Sequence, residues 1–309
     1  MTDIKFIGTN QVELVNSLNE NDKLPSFDTG EDFIEFKFTD PLSNNDVDYY
    51  HFVITGSNVQ VSGVIDSVSK KQEFCNLFKG CTQITDASNL ILSAPTMKES
   101  CYANMFIDCT NLTTPPQIQA QTLDMWCFQN MFAGCTSLTS APRLPASTLA
   151  PYCYYAMFYN CRSLSTAPVL TASTLVDWCY NSMFYNCTSL NSISANFTEW
   201  KGNATSSWVT NVAESGNFEN DNVEKIYSNS NIPISWKIDY SALPLTFKST
   251  GNTTVKINKD NLSYSVNGGE WTTYNSFDTI SLSDNDEVAF SGTNSAINTN
   301  FITTGDGTL

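Results

Sequence analysis

Ten cysteines recur along this sequence at a nearly constant step, and this regularity constrains the fold more than any other feature. They form two columns, which advance by 26 residues at every step except for a single step of 28. The first column is Cys75, Cys101, Cys127, Cys153 and Cys179, and the second is Cys81, Cys109, Cys135, Cys161 and Cys187. A fixed period of this length predicts a stack of similar coils, because one coil alone cannot bury its apolar face.

The text within one period predicts a short strand followed by a short helix. Residues 137–144 alternate between polar and apolar side chains, which is typical of one strand per coil. The apolar positions of the next segment lie four residues apart, at Leu149, Cys153, Met157 and Cys161. Because this is the spacing of one helical face, it predicts a helix over residues 149–161. A strand and a helix in every coil is the arrangement of a leucine-rich repeat.

The repeat text resembles that of the BspA-like leucine-rich repeats, a family of surface and adhesion proteins. The resemblance covers about residues 74–190 and rests on a Phe, a Cys and a Leu at fixed spacing, as in Phe132, Cys135 and Leu138. The same three residue types recur at Phe106, Cys109 and Leu112, at Phe158, Cys161 and Leu164, and at Phe184, Cys187 and Leu190. The 26-residue period and a Met-Phe pair are similar to a variant of this family found in gut Bacteroidales and their phages. The resemblance implies a short solenoid and a role in adhesion.

The segments on either side of the repeats predict β-structure. Runs such as residues 33–38, 59–64 and 253–257 alternate in the manner of strands. The text Phe52–Gly56 is echoed by Phe301–Gly305, which suggests one small β-module used twice. A last module completed by a neighbouring chain is a further hypothesis, to be tested by whether the strand at 301–305 pairs within its own subunit.

These patterns predict an α+β protein with four parts. Residues 1–70 form a β-rich module, 71–190 the leucine-rich-repeat solenoid of five coils, 191–239 its cap, and 240–309 a β-sandwich-like module. The cap is predicted because the period is lost there and three large aromatic side chains are available to cover the last coil. They are Trp200, Trp208 and Trp236.

Composition excludes several classes of partner. The net charge of −16, from 31 acidic and 15 basic residues, argues against binding to nucleic acid. No stretch reaches the roughly 18 to 20 apolar residues that span a bilayer, so we expect no membrane insertion. The N-terminal text has no export-signal pattern, which favours a virion protein over an exported one.

The chemistry-bearing residues predict neither a metal site nor an active site. The cysteine pairs are six or eight residues apart, no Cys-x-x-Cys occurs, and His51 is the only histidine. We therefore expect buried reduced thiols, no metal and no cofactor. Carboxylates such as Glu35 and Asp286 stand in turn-rich text, which favours solvated loops over a catalytic pair.

Two columns of the repeats change in size from coil to coil, which predicts partly exposed positions. One column is Ser100, Trp126, Tyr152 and Trp178, and the other is Ile107, Ala133, Tyr159 and Tyr185. Exposed Trp and Tyr stack on sugars or anchor protein contacts. The predicted binding residues are therefore Trp126, Tyr152, Trp178, Tyr159 and Tyr185.

Together these observations predict a non-enzymatic structural or adhesion protein of a phage virion, as a tail or head fibre component or accessory. Its expected partners are other virion proteins and a host glycan or protein, and a homo-oligomer is compatible with a fibre role. Two alternatives stay open: a bacterial cell-surface adhesin and a capsule-polysaccharide depolymerase.

Overall fold

A computed structural model describes most of the chain. The described residues are 2–9, 11–24, 27–28, 33–38, 40–197, 200–220, 232–233, 235–239, 245–257, 262–267, 269–270, 272–274, 279–292 and 301–305. Parts of the predicted cap, at 198–199, 221–231 and 234, lie outside them. Two compact units are present: Met1–Gly216 with Glu224–Trp236, and Asn217–Val223 with Lys237–Leu309. The four-part division of the sequence remains a prediction.

The described part of the N-terminal module, within the first unit, contains seven strands. They are β1 (Thr2–Ile7), β2 (Val12–Asn16), β3 (Lys23–Leu24), β4 (Phe27–Asp28), β5 (Phe33–Phe38), β6 (Tyr50–Ile54) and β7 (Val59–Ile65). The central strand β1 pairs antiparallel with β5 and with β7, while β2 lies between β3 and β6. Alternation along β1 buries Ile4 and Phe6 completely. The Phe6 ring packs edge-on against Phe36 and Phe52, at centroid distances of 6.0 and 4.7 Å.

The N-terminal module continues directly into the first repeats. Strand β8 (Ile84–Leu92) pairs parallel with β7, and β9 (Gln117–Ile118) pairs parallel with β8. The resulting six-stranded sheet has the order β4-β5-β1-β7-β8-β9. One further short strand, β10 (Ser192–Ser194), follows the last repeat. The ring of Phe52 stacks on that of Phe78 at 5.3 Å, so the aromatic core is continuous from module to repeats.

Each repeat begins with a ribbon of successive hydrogen-bonded turns, in which alternate N–H groups have different partners. In the second repeat the N–H of Ala103 donates to the carbonyl of Ser100, three residues back, at 3.1 Å. The N–H of Tyr102 instead donates to the carbonyl of Cys127 in the next repeat, at 2.9 Å. Alternate backbone N–H groups of the ribbon are therefore hydrogen-bonded within its turns, and the others are hydrogen-bonded to the next repeat.

Every fourth residue of the ribbon has a left-handed backbone. In the third repeat these residues are Trp126, Asn130 and Gly134, with φ of 57°, 52° and 77°. A positive φ is required at the third position of a type II turn, and Gly and Asn adopt it at the lowest cost. The ribbon of each repeat is therefore a series of turns with a period of four residues.

The predicted α+β fold is wrong, because the described residues contain strands and turns but no α-helix. The four-residue spacing of apolar side chains over residues 149–161 comes from the four-residue period of the turns, not from a helical face. Met157 donates its N–H to Tyr154, three residues back, and Tyr154 donates to Cys179 in the next repeat. Neither N–H makes the bond to the fourth residue back that defines an α-helix.

The predicted leucine-rich-repeat solenoid is wrong for a second reason, which concerns its strands. Residues 137–144 form no strand, and the described repeats beyond β9 form no continuous solenoid sheet. Pro142 and Pro145 have no N–H to donate, so they interrupt the ladder at this point. Only isolated bridges join later repeats on this side, such as Thr122 to Thr148 and Thr166 to Ser192.

Two aromatic ladders hold the repeats together. The first ladder places Phe78, Phe106, Phe132, Phe158 and Phe184 ring over ring, with successive centroids 4.7 to 5.8 Å apart, and ends on the buried Trp208. The second ladder consists of Phe74, Tyr102, Phe128, Tyr154, Tyr180 and Phe197. Stacking of this kind adds to simple area burial.

Nine strands lie among the described residues of the second unit. They are β11 (Asn217–Glu219), β12 (Lys237–Asp239), β13 (Leu245–Lys248), β14 (Thr253–Ile257), β15 (Leu262–Val266), β16 (Thr272–Tyr274), β17 (Ile280–Leu282), β18 (Glu287–Gly292) and β19 (Phe301–Gly305). Strands β11 and β12 pair in parallel, and the others form two antiparallel sheets of order β13-β18-β15-β16 and β17-β14-β19. The C-terminal strand β19 pairs with β14 of its own chain, so no neighbouring chain is needed to complete that pair.

Candidate functional site

Five half-buried side chains on the turn ribbons line an open groove of about 320 Å³. They are Trp126, Gln129, Tyr152, Tyr155 and Trp178, and we name this site the aromatic groove. Its volume lies at the lower end of the range of about 300–1,000 Å³ for small-ligand sites. It can therefore hold a small ligand or a short part of a longer one.

The turn ribbons fix the spacing of the rings in the groove. Trp126, Tyr152 and Trp178 occupy the same position in three successive repeats. The N–H of Trp126 donates to Pro151 at 3.3 Å, and that of Tyr152 donates to Asp177 at 3.1 Å. This ladder holds the ring centroids 5.4 Å apart from Trp126 to Tyr152 and 5.8 Å apart from Tyr152 to Trp178.

A second column widens the groove on one side. The ring of Tyr155 lies 6.0 Å from that of Tyr152 and is tilted from it by 51°. Gln129 stands at the equivalent position of the previous repeat and contributes an amide. The groove thus combines four aromatic rings with a polar group able to donate and to accept hydrogen bonds.

The three aromatic residues of the main column have an unfavourable backbone conformation. Trp126, Tyr152 and Trp178 have φ of 57°, 58° and 61°, in the left-handed region. For residues with a bulky side chain this costs roughly 1–2 kcal/mol each. Ring stacking offsets part of this, at about 0.5–1.5 kcal/mol for each pair. Strain of this kind is concentrated at functional sites in proteins.

The groove carries no charge of its own. Its five lining side chains belong to tryptophan, tyrosine and glutamine, and none of them is a carboxylate or a cation. The nearby Asp177 carboxylate is paired with Lys201 at 2.6 Å and accepts a hydrogen bond from Asn203 at 2.8 Å, and these two contacts lower its pKa. The surrounding repeats, residues 74–190, contain only 4 of the 15 basic and 5 of the 31 acidic residues of the chain. The site is therefore suited to a neutral ligand.

The structure brings together three of the five predicted binding residues. Trp126, Tyr152 and Trp178 line the groove, whereas Tyr159 and Tyr185 do not. These two tyrosines form a separate half-buried pair, stacked at 4.9 Å with their planes 5° apart.

Sequence reasoning missed Gln129 and Tyr155. Their column also changes from coil to coil, as Ala103, Gln129, Tyr155 and Asn181. The same size criterion that selected the other two columns could therefore have found it.

A second, larger groove of about 680 Å³ opens where the repeat ladder is interrupted. Its walls are mainly prolines and uncharged polar residues, among them Pro115, Pro142 and Gln119, and Arg143 is its one cation. It contains no aromatic side chain, so it lacks the stacking surface of the aromatic groove.

The cysteines are packing residues with a hydrogen-bonding task. All ten are buried and unpaired. Burial raises the pKa of the Cys81 thiol to about 12 and raises the pKa of Cys135 well above its ordinary value. At neutral pH these thiols are protonated, and those of the second column donate to backbone carbonyls of the preceding segment, as Cys161 does to Phe132 at 3.0 Å. Among the described residues, no group of three or more metal-ligating side chains is assembled.

The acidic residues that the sequence offered as catalytic candidates have structural partners. Glu35 is buried and lies 2.8 Å from Lys37 and 3.2 Å from Lys5. Asp286 accepts hydrogen bonds from Asn267 and from the N–H of Ser283, both at 2.7 Å, which lower its pKa. Glu35 thus links β5 to β1, and Asp286 links its own turn to the turn after β15.

The single histidine lies apart from the groove. His51 is half-buried in β6, opposite Val15 of β2. Burial, with a smaller effect of Lys79, lowers its pKa, so the imidazole is neutral at pH 7.

Comparison of the chain with protein-family models, with curated proteins and with solved structures finds no match. The part of the chain that the structure describes contains no helix able to cross a membrane.

Proposed function

We propose that this chain is a non-catalytic adhesion protein that binds a neutral surface glycan in the aromatic groove. The observation that carries this proposal is the backbone of the main column, where Trp126, Tyr152 and Trp178 have φ near 60°. The equivalent left-handed positions further along each ribbon are occupied by small or polar residues such as Asn130, Asn160 and Gly134. Large aromatic side chains at strained positions, half exposed along a groove, favour a ligand over a purely structural role.

The chemistry of the groove favours sugar over other ligands. Aromatic rings pack against the apolar faces of sugar rings, and hydroxyl and amide groups beside them bond to sugar hydroxyls. Tyr152, Tyr155 and Gln129 supply those polar groups. The three rings of the main column follow one another at 5.4 and 5.8 Å, so a ligand that contacts all of them runs across the repeats. An anionic polymer is disfavoured by the chain's net charge of −16.

The binding experiment uses the full-length protein and a panel of soluble neutral polysaccharides, with affinity measured by calorimetry. Tyr152→Ala and Trp178→Ala are expected to weaken binding at least tenfold, because each removes a ring from the groove. Tyr159→Ala and Tyr185→Ala are the matched controls, because they remove stacked, half-buried rings of the same repeats outside the groove. Equal losses in both sets, or no binding to any neutral glycan, would overturn the proposal.

The setting that we propose for this adhesion is a phage virion, with the chain as a tail or head fibre component or accessory. The repeat text, which resembles that of an adhesion family, supports adhesion. The test is immunogold electron microscopy of purified virions with an antibody to the chain. Labelled particles are expected, and a chain found only on bacterial envelopes would show that the virion setting is wrong while leaving glycan binding intact.

A further inference from the structure

The N-terminal module and the second unit share one strand arrangement. Five strands of the second unit, β13, β14, β17, β18 and β19, correspond in chain order to β1, β2, β3, β5 and β6. In both, the first strand pairs with the fourth, and the second lies between the third and the fifth. The five-residue echo of the sequence falls on the corresponding strands β6 and β19.

The register of these strand pairs agrees residue by residue. An apolar residue of the first strand stands opposite Phe, and the residue two positions along stands opposite a β-branched residue. The pairs are Ile4↔Phe36 and Phe6↔Ile34 in one module and Leu245↔Phe290 and Phe247↔Val288 in the other. The other sheet agrees as well, with Leu14↔Phe52 corresponding to Ile257↔Phe301.

The two modules also differ in their strands, and one of the differences lies at the second edge of the first strand. In the N-terminal module the second edge of β1 is covered by β7, with Phe6 opposite Val61 and Ile4 opposite Gly63. In the second unit β13 is the end strand of its sheet, and no other strand among the described residues pairs with its second edge. Among the residues that the structure describes, no strand supplies partners for the backbone N–H and C=O groups on that edge, and such groups can pair with an approaching strand.

We propose that the open edge of β13 is a strand-acceptor site, filled by a strand of the β7 type that a partner polypeptide donates. The register of β1 and β7 predicts an antiparallel donor with a β-branched residue opposite Phe247 and a glycine opposite Leu245. Main-chain hydrogen bonds supply the affinity in this mode of recognition, and side-chain fit sets the register. The site goes beyond glycan binding, because it concerns assembly and lies outside the aromatic groove.

The glycine requirement gives the site its selectivity. Gly63 has φ of 121°, and a Cβ atom there would lie 2.0 Å from the carbonyl oxygen of Asp3. No other residue fits β7 at this point unless the strands move apart. A donor strand for β13 is therefore expected to need glycine at the equivalent position.

The arrangement in the N-terminal module also shows what a donor strand accomplishes. There β7 fills the edge of β1 and, on its other side, pairs in parallel with β8 of the first repeat. The strand that closes the module thus joins it to the next folded part. A strand on β13 would join the second unit to another polypeptide in the same way.

Amide hydrogen exchange on the full-length protein tests the proposal. The probe is a synthetic peptide with the sequence of residues 56–65, added free at millimolar concentration and, separately, fused after Leu309 through a Gly/Ser linker of about 15 residues, which raises its local concentration. The exchange rate of Leu245–Lys248 is expected to fall at least tenfold. Thr253–Ile257, central in its own sheet, is the internal reference.

Two altered peptides serve as controls. Gly63→Val adds a side chain that clashes with the acceptor backbone. Ser62→Pro removes an N–H from the donor edge, because the N–H of Val59 points to β8 and that of Ser62, three residues on, points to the opposite side. Protection by the free or the fused parent peptide, lost in both altered forms, supports the site. Equal protection by the parent and the Gly63→Val peptide, or no protection by either form of the parent, would overturn it.

Discussion

The thiol of Cys135 donates a hydrogen bond to the backbone carbonyl of Phe106, in the preceding repeat, at 3.1 Å. The same bond recurs one repeat on, from Cys161 to Phe132 at 3.0 Å. Cysteine suits this position because it is small, apolar enough for the core and able to donate. The second cysteine column thus ties each repeat to the one before it.

Replacing this donor is expected to weaken the stack. Cys135→Ala removes the bond to Phe106 and leaves a small cavity, so the free energy of unfolding should fall by about 1–2 kcal/mol. Urea unfolding of Cys135→Ala measures the effect. The exposed Ser140→Ala serves as a control that should change stability by less than about 0.5 kcal/mol. An unchanged midpoint in Cys135→Ala would contradict the role given to the thiol.

The thiols should be unreactive in the folded protein. Burial raises the pKa of Cys101 and of Cys187 to about 12, so very little thiolate is present even at pH 8. A disulfide-exchange reagent such as DTNB is expected to label almost no cysteine in the native chain and all ten after denaturation. Rapid native labelling of several thiols would show that the repeats are not packed as described.

The tyrosine hydroxyls of the second ladder predict an unusual mutational result. The hydroxyl groups of Tyr102 and Tyr154 are buried and have no hydrogen-bond partner. Because a buried unsatisfied polar group costs about 1–3 kcal/mol, Tyr154→Phe should leave stability unchanged or raise it. Phe128 already stands at the equivalent position. Thermal unfolding measures the change, and a clear loss of stability in Tyr154→Phe would reveal a partner for that hydroxyl.

Two carboxyl groups of the N-terminal module, those of Glu35 and Asp3, predict a specific dependence of stability on acid pH. The hydrogen bond from Lys37, followed by that from Lys5, lowers the pKa of Glu35 below its ordinary 4.5. Glu35 therefore adds stability that is present above pH 4.5 and is lost as pH falls through its lower folded value. Burial, and then the charge of Glu35, raises the pKa of Asp3 above 3.8, so Asp3 has the opposite effect.

Variants separate these two contributions. In Glu35→Gln the loss of stability below pH 4.5 should become shallower, whereas in Asp3→Asn it should become steeper. Stability is measured by urea unfolding between pH 2.5 and 7. Parallel pH profiles for the wild type and both variants would show that the two carboxyl groups do not have the assigned partners.

Much of the β-structure could be predicted from sequence, because alternation there has a simple cause. The strand expected over residues 33–38 is β5, and the one over 253–257 is β14. One face of each strand meets a core, so period-2 patterning is visible in the text. Strand β1 was not anticipated, although it is the centre of its sheet.

The repeats could not be predicted in the same way. A four-residue spacing of apolar side chains indicates a helix in isolation, and only the partner of each N–H separates a helix from a ribbon of turns. Those partners lie in the next repeat, as Cys179 does for Tyr154. The available signal for turns was a set of Asn and Gly residues spaced by four within a repeat or by 26 between repeats. They are Asn104, Asn130, Gly134, Asn160 and Asn186.

The groove was partly visible in the sequence, because variation within a column exposed Trp126, Tyr152 and Trp178. The separation of Tyr159 from the groove was not visible. Tyr159 belongs to the same ribbon as Tyr152 and Tyr155. Which of these residues lines the groove depends on how the turns orient each side chain. Periodicity fixes which residues are equivalent, but it does not fix which column faces a ligand.

The central claim is that the aromatic residues of the main column bind the ligand although their backbone conformation is strained. Tyr152→Asn tests this claim most directly. Asparagine tolerates the left-handed backbone, so relief of strain should offset the lost stacking, and stability should change by less than about 1 kcal/mol. In contrast, Phe158→Ala in the buried ladder should cost about 3–5 kcal/mol. The decisive measurement is the affinity of Tyr152→Asn for a neutral glycan, measured by calorimetry alongside its stability. The account predicts binding at least tenfold weaker with stability retained, and wild-type affinity in this variant would contradict it.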